Sequence, residues 1–258
     1  MEVVNYLLGY KNLKIVQNTN MFNFSLDSVL LPNFVTLSKN TTKILDIGCG
    51  NAPIPLILST KTKATIIGVE IQKDVYDLAL KSIEMNNLEE QIKIINDDIN
   101  NLYDYFETES FDTIVCNPPY FKVATTPNLN AIEYKTIARH EIKLNLEQII
   151  NISKKVLKNN GNIAMVHRPE RLSDIITIMR KNNIEPKRIR FVYPKENKDA
   201  NILLIEGVKN GRPGLKILPP LYSHNDSGEY SEQIKKYFEW GETWKNHKKV
   251  MIIVHHFI

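Results

Sequence analysis

A doubly wound α/β fold, with a mostly parallel seven-stranded sheet closed by an antiparallel hairpin, is what this 258-residue sequence predicts. Three observations lead there. From residue 43 onward, short β-branched runs alternate with longer amphipathic stretches, the rhythm of a parallel sheet flanked by helices. The last two strand-like runs are separated only by Pro194–Ala200, too short for a crossover helix, so they pair antiparallel. Gly48 and Gly50 mark a tight turn out of the first run into a helical stretch.

Residues 1–40 read as one or two strands and then a helix opened by Ser25, a good N-cap, ahead of Val29, Leu30 and Leu31. Strands are expected at Lys43–Gly48, Thr65–Ile71, Ile92–Asp97, Phe111–Asn117, Gly161–His167, Lys187–Tyr193 and Asn201–Val208. Helices are expected near 54–61, 73–87, 144–158 and 171–183. The second of these sets Val75, Leu78, Ala79, Ser82 and Ile83 on one face. Residues 121–140 form a polar insertion after the fourth strand. Residues 211–258 carry Pro213, Pro219 and Pro220, a charged helix-like piece and an apolar end. The expected organisation is a single domain: an extension over 1–40 forming part of the pocket, a core over 41–210, and an extension over 211–258 packed on it.

With 43% apolar and 24% charged residues, the chain has the composition of a globular domain and not of a disordered or collagen-like one. Its two cysteines, Cys49 and Cys116, lie in apolar runs and cannot frame a disulfide scaffold or a zinc site, which favours a reducing compartment. The start Met1-Glu2-Val3-Val4 has no basic n-region, and no stretch is apolar enough to span a membrane, so a cytoplasmic protein without a resident metal is expected. Net charge is +4 but uneven: residues 181–216 hold nine basic side chains against four acids. Such an excess suits a phosphate-facing surface, or it is only a solvated lysine-rich face.

The chemistry concentrates at four strand ends. Asp46-Ile47-Gly48-Cys49-Gly50-Asn51 turns tightly at a helix N-terminus, although Pro53 stands where a third glycine would complete the dinucleotide fingerprint. Glu70, followed by Ile71, lies twenty residues beyond Gly50, where an acid suits ribose hydroxyls or caps a helix. Asp98 ends the third strand, where a carboxylate can accept from an adenine amino group. The fourth strand runs into Asn117-Pro118-Pro119-Tyr120. The prolines forbid continued pairing and stiffen the backbone. An amide and rigid carbonyls there can accept both hydrogens of a planar amino group, and Tyr120 offers a face for stacking. The alternative is a proline-stiffened turn with a buried tyrosine.

With these residues in place the sequence resembles class I S-adenosylmethionine-dependent methyltransferases that act on amino nitrogens. Phe24–Leu31, Ile137–Glu141, Val166–Pro169, Arg190–Pro194 and Gly214–Lys216 further resemble the bacterial tRNA1(Val) adenine-37 N6-methyltransferase family, over about residues 5–240. The resemblance implies S-adenosylmethionine as cofactor, held by Asp46, Gly48, Gly50, Asn51, Glu70, Ile71, Asp98 and Asn117. It implies catalysis by Asn117, Pro118, Pro119 and Tyr120 on N6 of an adenine in a tRNA anticodon stem-loop. Lys122, Arg139, His140, Arg168, Arg188, Arg190, Lys195 and Arg212 are the expected RNA contacts, on a monomeric protein. Asp27 belongs either to a helix lid over the pocket or to a simple acidic first turn. The rival expectation is methylation of a protein glutamine, whose amide presents the same two hydrogens. The absence of a separate helical N-terminal domain and the basic 181–216 segment count against it.

Overall fold

A computed structural model of the chain describes residues 1–10, 12–19, 25–118 and 145–238. Strands β1 (Glu2–Tyr6) and β2 (Lys14–Asn18) pair antiparallel as a separate hairpin. Helix α1 (Leu26–Phe34) follows. The alternating core is β3 (Lys43–Ile47), α2 (Pro53–Ser59), β4 (Thr65–Val69), α3 (Lys73–Glu84), β5 (Ile92–Ile95) and β6 (Phe111–Cys116). It continues through α4 (Leu146–Val156), β7 (Leu157–His167), α5 (Leu172–Lys181), β8 (Ile184–Tyr193) and β9 (Ile202–Lys209). Two-residue strands β10 (Lys216–Ile217) and β11 (Leu221–Tyr222) and the short α6 (Glu232–Lys235) close the described chain.

The main sheet has the order β10-β8-β9-β7-β6-β3-β4-β5, with β11 also pairing β8. Its pairs are parallel except the two made by β9. The inner strands read as continuous apolar runs because helices cover both faces. On one face Val29, Leu56, Ala79 and Ile83 of α1, α2 and α3 pack together with Leu7, Ile15, Tyr230 and Phe238. On the other, Ile149 and Val156 of α4 meet Ile175 and Met179 of α5. The chain reverses direction between β3 and β6, so the crevice at their carboxyl ends is the topological switch point where such sheets bind ligands.

The expected seven strands are all present, and β10 and β11 extend them along β8. Each is cut to two residues by the neighbouring prolines, too short for periodicity to reveal. β7 begins at Leu157 and not at Gly161: its first residues pair through a register shift opposite Phe111–Thr113, and Asn160 takes a left-handed φ of 62°. β8 begins at Ile184 and tolerates Pro186 at a second register shift, where the missing N–H leaves no gap in the ladder. Ser25 does stand at the N-cap of α1, in extended conformation, but its hydroxyl makes no cap bond.

Candidate active site

Leaving β3, the backbone adopts left-handed conformations at Gly48 (φ 70°), Gly50 (φ 57°) and Ala52 (φ 70°). The amides of Gly48 and Cys49 both donate to the Val69 carbonyl, at 2.9 and 3.0 Å, folding the loop over the end of β4. A Cβ placed on Gly50 would meet nothing within 4 Å, so the loop presents bare backbone to open space there. Pro53, the departure from a third glycine, is the first residue of α2, where its missing N–H has no helical partner to lose. Asn51 turns the other way: its amide donates to the Val16 carbonyl of β2 at 2.8 Å, so it ties the loop to the hairpin instead of offering that NH2 to a cofactor.

Glu70, just past β4, holds the loop from beneath. Its Oε2 accepts from the Gly50 N–H at 3.1 Å and its Oε1 from the Gln72 N–H at 2.8 Å. Asn96 donates to the Glu70 carbonyl at 2.8 Å. Asp46 is fully buried in β3, and neither of its carboxylate oxygens has a hydrogen-bond partner among the described residues. Burial first, and then the negative charge of Glu70, pushes its pKa well above the usual carboxylate range. Burial also raises that of Glu70, against the amides that favour its ionised form. Beside this acidic pair Ile71 stands 40% exposed, an uncovered apolar surface at the crevice edge. Asp98 uses Oδ1 to accept from the backbone and side chain of Asn100, capping a 3-10 turn over Ile99–Asp104. Its neighbour Asp97 accepts from the Tyr105 hydroxyl at 2.6 Å and from Asn101, bonds that hold its pKa down.

Across the switch point, β6 ends at Cys116, and half-buried Asn117 and buried Pro118 follow. The Asn117 Nδ2 lies 3.5 Å from the hydroxyl of Ser28, in the first turns of α1. Asp27 occupies the first turn of the same helix. Pro119, Tyr120, Lys122, Arg139 and His140 lie outside the described residues. His167, ending β7, accepts the Arg168 N–H at Nδ1 (2.8 Å), and burial, reinforced by Arg171, drives its pKa down to about 4.

A glycine loop, an acid at the second strand end and Asn-Pro at the fourth, all around one switch point, define a candidate methyl-transfer crevice. A family described as "Methyltransferase domain" matches residues 38–211. The tRNA1(Val) (adenine(37)-N6)-methyltransferase of Parabacteroides distasonis is 31% identical over 183 residues, 70% of this chain and 74% of that protein. The chain belongs to this methyltransferase family. The Vibrio cholerae relative of the same name is 27% identical over 80% of this chain and 83% of its own. Among solved structures, a predicted O-methyltransferase from Agrobacterium tumefaciens superposes with a TM-score of 0.65 at 18% identity, covering 82% of this chain and 94% of that one. The P. horikoshii TYW2 structure in complex with MeSAdo superposes with a TM-score of 0.57 at 12% identity, covering 81% and 72%.

The cofactor of the family, S-adenosylmethionine, fits the residues present. Burial raises the proton affinity of both Asp46 and Glu70, and the charge of Glu70 raises that of Asp46 further, a conflict that a cationic ligand relieves. The bare backbone at Gly50 and the apolar surface of Ile71 leave room for the rest of such a molecule. Among the described residues there is no cluster that could hold a metal ion, and no helix is long and apolar enough to cross a membrane.

The basic residues expected on RNA divide once their partners are seen. Arg188 is a correction. Its guanidinium is engaged by Glu206 at 3.1 and 3.4 Å, donates to the Phe34 carbonyl and lies 4.8 Å over the Phe34 ring, so it fastens α1 to the sheet instead of facing solvent phosphate. Three of the nine basic side chains of the 181–216 segment are ion-paired: Arg188 with Glu206 of the same segment, and Lys181 and Lys209 with Glu147 and Glu109 outside it. Arg168 donates to the Asn201 carbonyl at 2.9 Å, and Lys195 to the Asp226 carbonyl at 3.4 Å. Arg190 donates to the Tyr237 hydroxyl at 2.7 Å, and Arg212 is exposed. Ser28 is the site residue that sequence reasoning passed over, although it lies within the Phe24–Leu31 motif. Val16 is another, since nothing in a strand's own sequence says which loop it will brace.

Proposed function

We propose that this chain transfers a methyl group from S-adenosylmethionine to the exocyclic N6 of an adenine in tRNA, at position 37 of the anticodon loop. The observation that carries the reading is the placement of Asn117 and Pro118 at the end of β6, facing the β3 loop across the switch point. The relatives named for this activity support the choice of substrate.

An adenine N6 lone pair is delocalised into the ring and is a poor nucleophile. The Asn117 Nδ2 is turned to Ser28, and an amide Oδ1 together with the Pro118 carbonyl is the acceptor pair that both N6 hydrogens require. Held there, the nitrogen is drawn toward tetrahedral geometry and its lone pair is aimed. S-adenosylmethionine, when bound, supplies an electrophilic methyl on a positively charged sulfonium. Positioning and electrostatics therefore do the catalytic work, up to roughly 7–11 kcal/mol of it from proximity. No base need act beforehand, because the methylated nitrogen is strongly acidic and sheds its proton readily. His167, held neutral by burial, is structural and not a proton shuttle.

The target adenine leaves its stack to enter the crevice, where Pro119 stiffens the turn and Tyr120 stacks on the base. An unpaired loop nucleotide is cheaper to extrude than a paired one, which suits an anticodon loop. Lys122, Arg139 and His140 of the 121–140 insertion, next to Asn117–Tyr120 in sequence, contact the RNA, as do Arg168, Lys195 and Arg212 on its backbone. Residues 1–40 wall the pocket, 41–210 are the catalytic core and 211–258 extend it. The protein works as a cytoplasmic monomer.

The test is mass spectrometry of nucleosides from unmodified bulk tRNA incubated with the protein and labelled S-adenosylmethionine, alongside Asn117→Ala. N6-methyladenosine mapping to the anticodon loop is expected with the intact protein alone. Cofactor binding without any labelled nucleoside would overturn the RNA reading, and turnover by Asn117→Ala would overturn the positioning role.

A further inference from the structure

β8 directs Arg188 and Arg190 to the same face of the sheet, and their surroundings differ sharply. Arg188 is neutralised by Glu206. Arg190, half-buried, has no carboxylate partner among the described residues, and its one hydrogen bond is the donation from Nη1 to Tyr237. Its Nε is buried with no acceptor. Such a guanidinium is desolvated without a compensating charge, an arrangement that costs stability unless something else supplies the anion.

A cavity of about 240 Å³ opens beside it, between β8, the Pro219–Leu221 segment and α6, lined among others by Arg190, Pro219, Pro220, Gln233, Lys236 and Tyr237. No acid lines it. Glu232, the acid of α6, is engaged by Lys235 at 2.7 Å and not by Lys236. Gln233 spends its Oε1 on the Tyr222 N–H at 2.9 Å, which leaves its NH2 as the group the cavity meets. Tyr237 accepts from Arg190 and keeps its own O–H to give. The side-chain polar groups of the described lining are therefore donors, with two of them cationic, and the complement is a compact anion with many acceptor oxygens. The cavity opens on the sheet face that carries α1, and α1 spans from Ser28 beside Asn117 to Phe34 beneath Arg188.

We propose that this cavity is an anion site that seats a backbone phosphate of the RNA substrate outside the catalytic crevice. The assignment to RNA rests on the tRNA reading above. The test uses the full chain with Arg190→Gln and, because Arg190 also braces Tyr237, the independent variant Lys236→Gln at an exposed position. Thermal midpoints establish that each variant is folded. An anticodon stem-loop RNA is titrated at several salt concentrations, and inorganic phosphate is titrated separately against the wild type by amide chemical shifts. Each variant is expected to weaken RNA binding roughly five- to tenfold at low salt and to flatten the slope of log K against log salt by about 0.7–0.9. Inorganic phosphate is expected to shift Lys236 and Tyr237.

Undiminished RNA affinity and salt slope in both folded variants would overturn the site. Phosphate binding with unchanged RNA affinity would overturn the RNA assignment in favour of a small phosphate. These outcomes differ from failure of the tRNA reading, in which the wild type itself would methylate no RNA.

Discussion

Replacing Arg188 by methionine separates a structural arginine from an RNA-binding one. Glu206 is 3% exposed, and its carboxylate accepts five hydrogen bonds: from the Thr36 N–H and hydroxyl at 2.6 and 2.7 Å, the Asn162 amide at 3.2 Å, and Arg188 at 3.1 and 3.4 Å. Arg188→Met removes the two charged donors and leaves a buried anion on three neutral ones. Breaking a buried ion pair from one side costs about 3–5 kcal/mol, and the three surviving bonds hold this case near the lower figure. At about 2–4 °C per kcal/mol for a domain of this size, the melting temperature is expected to fall by about 6–12 °C. Pairing the change with Glu206→Leu should recover most of the loss, because the uncompensated charge goes too. Thermal unfolding of the three variants gives the energetics, and RNA titrations at several salt concentrations give the function. An unshifted melting temperature together with a flattened salt dependence would refute the reasoning and return Arg188 to the RNA surface.

Gly50→Ala puts a methyl group into open space but onto a left-handed backbone, so about 1 kcal/mol of stability should be lost, while S-adenosylmethionine affinity, read by calorimetry, should fall because the crevice is narrowed. Asp46 binds its proton more tightly in the native state than in the unfolded one, so ligand-free stability should decline as pH rises above the ordinary carboxylate value of 3.8. Asp46→Asn should reduce that decline in urea titrations, leaving the share that comes from Glu70, and weaken cofactor binding. His167 behaves oppositely: its native pKa of about 4 lies below the usual 6.5, so its contribution is intact above 6.5 and is lost as pH falls toward 4. Comparing His167→Gln with wild type across that window should show at most about 3 kcal/mol of acid sensitivity disappearing.

What could be read from the sequence was what repeats or what stands alone. The β3–β9 alternation follows from apolar runs buried on both faces, Gly48 and Gly50 announce themselves because few other residues tolerate their left-handed conformations, and Asn117-Pro118 because a proline ends a buried strand. Partnerships between distant residues were not legible. Charge counting could not reveal that Arg188 is spent on Glu206, since a phosphate-facing arginine and a buried one look identical in a sequence. Asn51 stands in the glycine turn after β3, and its amide serves Val16, a preference set by where the hairpin docks. β10 and β11 escaped because a two-residue strand has no period, and its existence depends on the free edge of β8.

The docking of β2 has a consequence for engineering. The Val16 N–H donates to Ser82 of α3 at 2.9 Å while the Val16 carbonyl receives Asn51 at 2.8 Å, so a single residue of the appended hairpin is fastened to a scaffold helix on one side and to the glycine turn on the other. The appendage therefore acts as a tension member for the glycine turn after β3. Deleting it to obtain a minimal catalytic unit would slacken the loop as well as strip Leu7 and Ile15 from the core. Fusions or grafts at this end of the chain will preserve loop geometry only if they leave that one residue anchored at both ends.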